Sequence, residues 1–277
     1  MQQESLNAVF RRVKRSSLAW QDSLWQVMPQ HVVLGEACQA VGCETLKILA
    51  IETSRREGSI AACHGATVLE EHRLDPQQRT ARVLAPAIQK LLADVGWQAM
   101  DLEVVAVTQG PGSFTGLRIG VTTAKTLGYA SGAGVMGLNT LEVLAAQLLM
   151  GASASESPHV HDVVLDAQRN QLFTARYRRQ EDHLLCELPT HLVDRDTWLE
   201  QHPQMAGGLL EGPSSVPQAA MVGQLAAWRL DPDKQWPQDE MSWAKGGATM
   251  DVMAMVPRYY RRSAAEEKRD GISPAGS

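Results

Sequence analysis

The sequence has few aromatic residues and few cysteines. Aromatic side chains make up 5% of its 277 residues, and only four cysteines are present. The core must therefore rest on aliphatic side chains, which suits sheets covered by helices. The cysteines show neither the paired spacing of zinc sites nor the density of a disulfide scaffold, so the sequence indicates a reducing compartment.

An excess of positive charge and long apolar runs are also missing. The formal net charge is -5, whereas proteins that bind nucleic acid over their whole surface carry clustered lysine and arginine. General DNA or RNA binding is therefore disfavoured, and only a local basic patch remains compatible with the composition. No apolar run approaches the ~18–20 residues of a membrane span. The sequence predicts a soluble, cytoplasmic protein with no membrane partner.

The first 45 residues precede the clear structural signals and are interpreted as an extension. Residues 5–21 contain four basic residues and no acid, which resembles an organelle transit peptide, but they lack the apolar core of a secretory signal. Three explanations stay open: a poorly ordered tail, an added helix, or an upstream start codon assigned in error.

From Leu46 onward the hydrophobic pattern predicts an α/β protein. Short apolar runs indicate strands and three- to four-residue spacing indicates helices, in the order strand, strand, strand, helix, strand, helix, strand, helix. The predicted elements are strand Lys47–Glu52, a hairpin of Gly58–Cys63 and Thr67–Leu74, helix Thr80–Val95, strand Val104–Thr108, helix Leu117–Ala130, strand Val135–Leu138 and a helix from Asn139 to Leu149.

The small, polar stretch Gly151–Pro158 predicts a boundary between two lobes. The N-terminal lobe would span residues 46–151, and a smaller, degenerate C-terminal lobe 158–264, with a polar tail over 265–277. The second lobe begins with two predicted strands, and then weakens into proline-punctuated segments with one helical pattern. These elements are the strands Val160–Asp166 and Gln171–Tyr177 and the helix Val216–Arg229.

A glycine-rich loop between a buried strand and a helix carries the densest signal. It comprises Gly110, Pro111, Gly112, Ser113, Phe114, Thr115 and Gly116, with Arg118 just beyond. Such a loop can aim backbone amides at an anion, yet Leu117 stands where a phosphate-binding P-loop has lysine. A tight turn that allows close packing explains the glycines equally well.

The helix after this loop carries a stripe of small residues every four positions: Gly116, Gly120, Ala124 and Gly128. Residues four apart share one face of a helix, so another surface can approach this face closely. The stripe fits either packing on the chain's own sheet or contact with a partner helix.

Several segments resemble the TsaB (YeaZ) family. They are KILAIETS at Lys47–Ser54, TQGPGSFTGLRIG at Thr108–Gly120, Ala124–Leu127 and VVLDAQRNQLFTARY at Val163–Tyr177, with looser similarity at Arg79–Arg82 and Val256–Arg261. The resemblance covers residues 46 to about 264. It implies an actin-like, Hsp70-like (ASKHA) two-lobed fold, with the N-lobe order βββαβαβα.

The resemblance also implies a function without catalysis by this chain. Family members pair with a TsaD-like catalytic subunit, with a TsaE-like ATPase as third protein, and form a homodimer when alone. The complex makes threonylcarbamoyladenosine (t6A) at adenosine 37 of tRNAs that read codons beginning with A, so tRNA would be an indirect partner. No cofactor is expected on this chain, because ATP or ADP and Mg²⁺ would belong to the catalytic partner or the interface.

The resemblance assigns residues to two places. The partner interface would comprise Thr80, Arg82, Val83 and the small-residue stripe, which the resemblance favours as an intermolecular contact. Glu52, Thr53 and Asp166 would be degenerate positions of an ancestral nucleotide site. Two departures stand out, since Glu52 replaces the aspartate of many members and Asn170 replaces a common glycine.

Two enzyme classes are alternatives: a TsaD-like catalytic transferase or metalloprotease, and an ATPase or sugar kinase of the same fold. A metalloprotease needs two histidines four apart on a helix, and none of the eight histidines forms such a pair; a G-x-S-x-G nucleophile motif is also missing. An ATPase or sugar kinase of the same fold would use Glu52 and Asp166 to hold Mg²⁺. However, the bulky Arg55 and Arg56 follow Glu52 where phosphate needs open backbone, so no catalytic or metal-binding residue is predicted.

Overall fold

A computed structural model describes residues 45–150, 160–180, 183–203, 216–231, 248–249 and 255–261 of the chain. The predicted extension (except residue 45), the lobe boundary and the polar tail lie outside these residues. Within them, no helix is long and apolar enough to cross a membrane.

The described elements alternate between strands and helices over most of the chain. In order they are β1 (Lys47–Glu52), β2 (Ser59–His64), β3 (Thr67–Arg73), α1 (Thr80–Asp94), β4 (Val104–Gly110), α2 (Phe114–Ser131), β5 (Gly134–Asn139), α3 (Thr140–Met150), β6 (Val160–Gln168), β7 (Gln171–Gln180), β8 (His183–Asp194), α4 (Arg195–Gln201), α5 (Ala219–Leu230) and β9 (Ala248–Thr249). A short 3-10 turn, Ala99–Asp101, precedes β4.

The main sheet has the strand order β3-β2-β1-β4-β5-β9. Strands β1, β4 and β5 run parallel, while β2 and β3 extend the sheet as an antiparallel hairpin. The order from β1 to α3 is βββαβαβα, which confirms the predicted N-lobe order.

Both faces of the main sheet are covered, and β1 shows how the sequence achieves this. Successive residues of a strand point to opposite faces, so Ile48 and Ala50 join one core while Leu49 and Ile51 join another. Helices α1 and α2 cover the second of these faces, and α3 and α5 cover the first. A strand buried on both faces needs a continuous apolar run, which is what the sequence shows.

The second sheet is antiparallel, in the order β6-β7-β8. Strand β8 was not predicted, because Pro189 interrupts its sequence and proline cannot donate a ladder hydrogen bond. The structure accommodates Pro189 because β8 is an edge strand and its pairing with β7 shifts register between Thr174 and Tyr177.

The bounds of β4 and α2 correct the predicted glycine loop. Strand β4 continues to Gly110, and α2 begins at Phe114, where the Ser113 hydroxyl accepts a hydrogen bond from the Gly116 amide. A serine at the N-cap satisfies a free amide of the first turn, which explains the early start. Phe114, Thr115, Gly116 and Arg118 are therefore helical, and only residues 111–113 connect strand to helix.

Candidate functional site

The carboxyl edge of the main sheet gathers the residues predicted as a site. Parallel strands end at the same edge, and in open α/β sheets ligands bind there. Strand β1 ends there in a turn over Thr53–Ser54, and β4 ends there in the glycine loop. A third segment, residues 255–261, lies against the same loop, and we refer to it as the strap.

Glu52, the last residue of β1, is fully buried. Its Oε1 accepts hydrogen bonds from the amide (2.8 Å) and hydroxyl of Ser54, and from the hydroxyl of Thr108 (3.2 Å). Its Oε2 has no partner. Burial raises the pKa of Glu52 to about 7, against the lowering effect of the Ser54 and Thr108 hydrogen bonds. Neither Ser54 nor Thr108 was singled out from the sequence.

The turn after β1 fills the concave side of the glycine loop. The Ser113 amide donates a 2.7 Å hydrogen bond to the Ser54 carbonyl oxygen. A Cβ atom on Gly112 would lie 2.6 Å from this oxygen and 2.7 Å from the Ser54 Cβ, so only glycine fits. The Ser113 amide and the space beside Gly112 are thus taken by the chain itself.

Gly110 meets the strap from the other side. Its φ of 130° is unfavourable for other residues, and a Cβ atom there would clash with the Arg258 carbonyl oxygen. The Arg258 amide donates a 2.6 Å hydrogen bond to the Gln109 carbonyl oxygen, and Lys125 Nζ donates one to the Met255 carbonyl oxygen at 3.0 Å. The loop is therefore held between the β1 turn and the strap.

The small-residue stripe packs inside the chain, which corrects its assignment to a partner interface. A Cβ atom on Gly116 would clash with the Thr53 carbonyl oxygen, and one on Gly120 with the Thr53 hydroxyl. The Thr53 hydroxyl donates a 2.9 Å hydrogen bond to the Gly116 carbonyl oxygen. Ala124 is fully buried and Gly128 is also buried. The stripe lets α2 approach β1 and β4, so its four residues cannot face a partner helix.

The other residues predicted for the interface lie at the start of α1. Arg82 is exposed, whereas Thr80 and Val83 are half-buried, and Val83 packs against the core beneath the helix. Of these three residues, Arg82 is thus the one whose side chain is mainly open to solvent.

Asp166 lies apart from Glu52, in the second sheet. Its side chain is exposed, and its Oδ1 accepts a 2.9 Å hydrogen bond from the Gln168 amide in its own turn. The two carboxylates make no contact with each other and do not form an acidic pair. In the same turn Asn170 has a φ of 59°, and the left-handed conformation explains why glycine or asparagine suits this position.

An exposed aromatic pair forms the rim of the site. Phe114 and Tyr259 are 41% and 45% exposed, and their rings stack with centroids 4.6 Å apart. The Arg118 guanidinium lies 5.2 Å from the centre of the Phe114 ring, within cation–π range. The sequence placed Phe114 and Arg118 in the loop signal, but nothing in it indicated that Tyr259, far along the chain, would join them.

The site does not fit a nucleotide with its metal ion. One carboxylate oxygen of Glu52 is already hydrogen-bonded and the other is buried. Ser54 packs against the glycine loop and bonds to its Ser113 amide. Among the described residues there is also no group of three histidine, cysteine or acidic side chains that could hold a metal ion.

Comparisons with known proteins point to one family. A family model described as TsaD, tRNA N6-adenosine threonylcarbamoyltransferase, matches residues 75–204, a little under half of the chain. The tRNA threonylcarbamoyladenosine biosynthesis protein TsaB of Bacillus subtilis is 28% identical over 240 residues, which cover 80% of this chain and 97% of that protein. TsaB of Escherichia coli is 29% identical, over 59% of this chain and 68% of its own length.

Solved structures agree with this result at the level of the fold. YeaZ of Pseudomonas aeruginosa superposes with a TM-score of 0.60 at 21% identity, covering 77% of this chain and 99% of that one. A second Pseudomonas aeruginosa protein, described as similar to the peptidase YeaZ, gives a TM-score of 0.62 at 20% identity, covering 78% and 100%. With the βββαβαβα order and the glycine loop, these matches show that the chain has an actin-like fold and that its sequence is similar to the TsaB (YeaZ) family.

Proposed function

We propose that the chain takes part in the synthesis of threonylcarbamoyladenosine in tRNA as a non-catalytic partner of a TsaD-like subunit. The names of its Bacillus subtilis and Escherichia coli relatives support the pathway. In this proposal the TsaD-like subunit, together with a TsaE-like ATPase, performs the ATP-dependent chemistry at adenosine 37. This chain binds no cofactor and forms a homodimer when the partner is missing.

The packing of Ser54 into the glycine loop is the observation that carries the non-catalytic role. An actin-like ATPase needs free amides in this loop for the phosphates and an accessible carboxylate for Mg²⁺. In this chain the Ser113 amide is bonded to Ser54, and Glu52 is shut away from solvent. Opening the loop would require β1 and α2 to separate, which would break the packing of Thr53 against Gly116 and Gly120.

The outer surfaces of α1 and α2 form the proposed partner face. Both helices cover the same side of the main sheet, so their outward sides lie next to each other. On α1 the outward residues include Ala81, Ala85 and Pro86, and on α2 they include Thr122, Thr126 and Tyr129. Small side chains allow another helix to approach, and Tyr129, 77% exposed, supplies a large ring for burial. Arg82 lies on this face, but the small-residue stripe does not.

Depletion of the protein in its native cell tests the pathway. We expect the threonylcarbamoyladenosine content of tRNAs that read codons beginning with A to fall, as measured by mass spectrometry of tRNA digests. Re-expression of the chain should restore it. Unchanged modification in a clean deletion without a second gene copy would refute the proposed function.

An actin-like ATPase is the second candidate, and the unpartnered Oε2 of Glu52 is the observation that favours it. A buried carboxylate at the end of β1 stands where such an enzyme holds Mg²⁺ through water. We expect no Mg²⁺-dependent ATP hydrolysis above background from the purified chain. Saturable hydrolysis that is abolished in Glu52→Gln but kept in Asp166→Asn would favour the enzyme instead.

A further inference from the structure

We propose that the arginine-rich carboxyl edge of the main sheet, with the rings of Phe114 and Tyr259, binds single-stranded RNA. This inference deepens the proposed function and rests on it for the identity of the RNA, because a tRNA-modifying complex must hold its substrate. The contact itself is argued from charge and geometry.

Four chain segments bring arginines to this edge. They are the turn after β1, the end of β3 with the start of α1, the first turns of α2, and the strap. We call their arginines the arginine edge: Arg55, Arg56, Arg73, Arg79, Arg118 and Arg258. Four of them, Arg56, Arg73, Arg79 and Arg118, are exposed, and Arg55 and Arg258 are partly so.

Hydrogen bonds and strand register show that these segments adjoin each other. Arg56 Nε donates a 2.9 Å bond to the Pro76 carbonyl oxygen, which joins the β1 turn to the β3–α1 connection. Ser59 pairs with both Glu52 and Arg73 in the sheet, so Arg73 lies level with the end of β1. The Ser113–Ser54 and Arg258–Gln109 bonds join the start of α2 and the strap to the same edge.

Among the residues that the structure describes, the acidic side chains near these arginines are each engaged by a neighbouring group, as Glu71 is by the Ser59 hydroxyl. Glu57 lies 3.8 Å from Arg55, and Asp75 accepts bonds from the Gln77 amide and the Gln78 side chain. Among the described residues no acid pairs with the guanidinium groups of Arg73, Arg79 or Arg118. The net charge of the whole chain is -5, yet the part of it that the structure describes concentrates positive charge where ligands bind in this type of sheet.

The aromatic rings favour single-stranded RNA over other polyanions. Proteins that bind single strands combine a basic groove for the phosphates with aromatic faces on which bases stack. Arg118 beside Phe114 and Tyr259 provides both features within one small area. An acidic protein surface would be the alternative, but a protein hot spot is usually enclosed by apolar contacts, whereas these exposed rings have a guanidinium group, that of Arg118, beside them.

Fluorescence anisotropy with the full-length protein and a labelled 12-nucleotide single-stranded RNA tests the proposal. We expect saturable binding that weakens with salt, because each phosphate contact contributes about -0.7 to the slope of log K against log salt concentration. Arg79→Glu and Arg118→Glu should each weaken binding about fivefold or more and make this slope shallower. Lys90→Glu makes the same charge change at the far end of α1 and should leave binding nearly unchanged.

Variants at Tyr259 test the stacking. Tyr259→Ala should weaken RNA binding by about fivefold to a hundredfold, while Tyr259→Phe, which keeps the ring, should bind nearly as the wild type does. Thermal melting of each variant shows whether it is folded. Heparin, a polyanion without bases, should lose affinity in Arg118→Glu but not in Tyr259→Ala.

Three results would overturn the proposal. The first is that duplex RNA of the same length binds as tightly as the single strand. The second is that Lys90→Glu loses as much RNA affinity as Arg79→Glu, and the third is that folded Tyr259→Ala binds RNA as tightly as the wild type. The last result with heparin binding retained would indicate a surface that binds any polyanion by charge, an acidic protein included, without stacking of bases. If a variant that no longer binds RNA still restores tRNA modification in the depleted cell, this inference alone is refuted. If the wild-type chain binds RNA but its re-expression does not restore modification, the proposed function alone is refuted.

Discussion

Glu52 shows what a single buried carboxyl group does to this protein. It has one oxygen in three hydrogen bonds and the other in none, at full burial. Desolvation dominates, so the neutral form is favoured and the pKa rises from 4.5 to about 7. The group therefore contributes to stability when it holds a proton and opposes folding when it is ionised.

We predict that the free energy of unfolding falls as the pH rises through Glu52's range. The folded chain binds this proton more tightly than the unfolded chain does, so the contribution is complete below about pH 4.5 and is lost as the pH passes about 7. The loss would amount to about 3 kcal/mol between these limits. Urea unfolding of the wild type and of Glu52→Gln at pH 5 and pH 8 measures it. The variant cannot ionise, so an equal change in both proteins would contradict the prediction.

At the level of elements, close packing against the sheet requires small residues on the inner face of α2. Ala124 is fully buried between α2 and the sheet, whereas Thr122, two residues earlier, is exposed.

We predict that Ala124→Leu lowers the free energy of unfolding by about 1–3 kcal/mol, because the larger side chain overpacks the core. Thr122→Leu adds a leucine on the outer face of the same helix and should change stability by less than about 0.5 kcal/mol. Thermal melting of both variants decides the matter, and an Ala124→Leu variant that melts like the wild type would place the stripe outside the core.

A buried ion pair joins α3 to α5. Arg229 Nη2 donates to Glu142 Oε1, and the two side chains are 11% and 3% exposed. Asn139 and Glu142 have the three-residue spacing of an N-terminal capping box. The structure confirms Asn139 as the cap, since its Oδ1 accepts bonds from the Leu141 and Glu142 amides, but the Glu142 side chain pairs with Arg229.

We predict that Arg229→Met destabilises the fold by about 3–5 kcal/mol, because it leaves the Glu142 carboxylate buried without its partner. Combining it with Glu142→Leu removes the unpaired charge and should restore most of the lost stability. Denaturant unfolding of the two single variants and the double variant tests this. Additive losses in the double variant would show that the two side chains do not depend on each other.

The elements that the sequence predicted well are those with strong local patterns. Strand β1 matches its predicted bounds, and α1 differs by one residue, because continuous apolar runs and helical spacing depend only on near neighbours. Strand β8 was missed because its Pro189 is acceptable only at a sheet edge, which is a tertiary property. The packing of Thr53 against the stripe was also out of reach, since it joins residues 63 positions apart.

For the whole molecule, the division of α2 into an inner and an outer face separates folding from assembly. The inner face is closed by Thr53 and the sheet, so partner binding depends on the outward residues. Tyr129, 77% exposed, is the largest of them.

We predict that Tyr129→Ala weakens binding of the TsaD-like subunit by about thirtyfold, the effect of losing a central aromatic contact. Its melting temperature should stay close to that of the wild type, because the ring contributes little to the folded monomer. Isothermal titration calorimetry with the purified TsaD-like subunit measures the affinity, with Glu200→Ala as a control at an exposed position of α4, which packs on the second sheet. Unchanged affinity in Tyr129→Ala would exclude this part of α2 from the interface.

Because the strap lies near the end of the chain, the carboxyl edge is completed late in protein synthesis. A ribosome synthesises strands β1 to β5, the glycine loop and helices α1 and α2 before it reaches Tyr259. At that stage the nascent chain has Phe114 without its stacking partner. Arg258 and its bond to Gln109 are missing from the edge as well. The rim is therefore assembled only when residues 255–261 dock, so an unfinished chain with a nearly complete core would bind the ligand of this edge more weakly than finished molecules do.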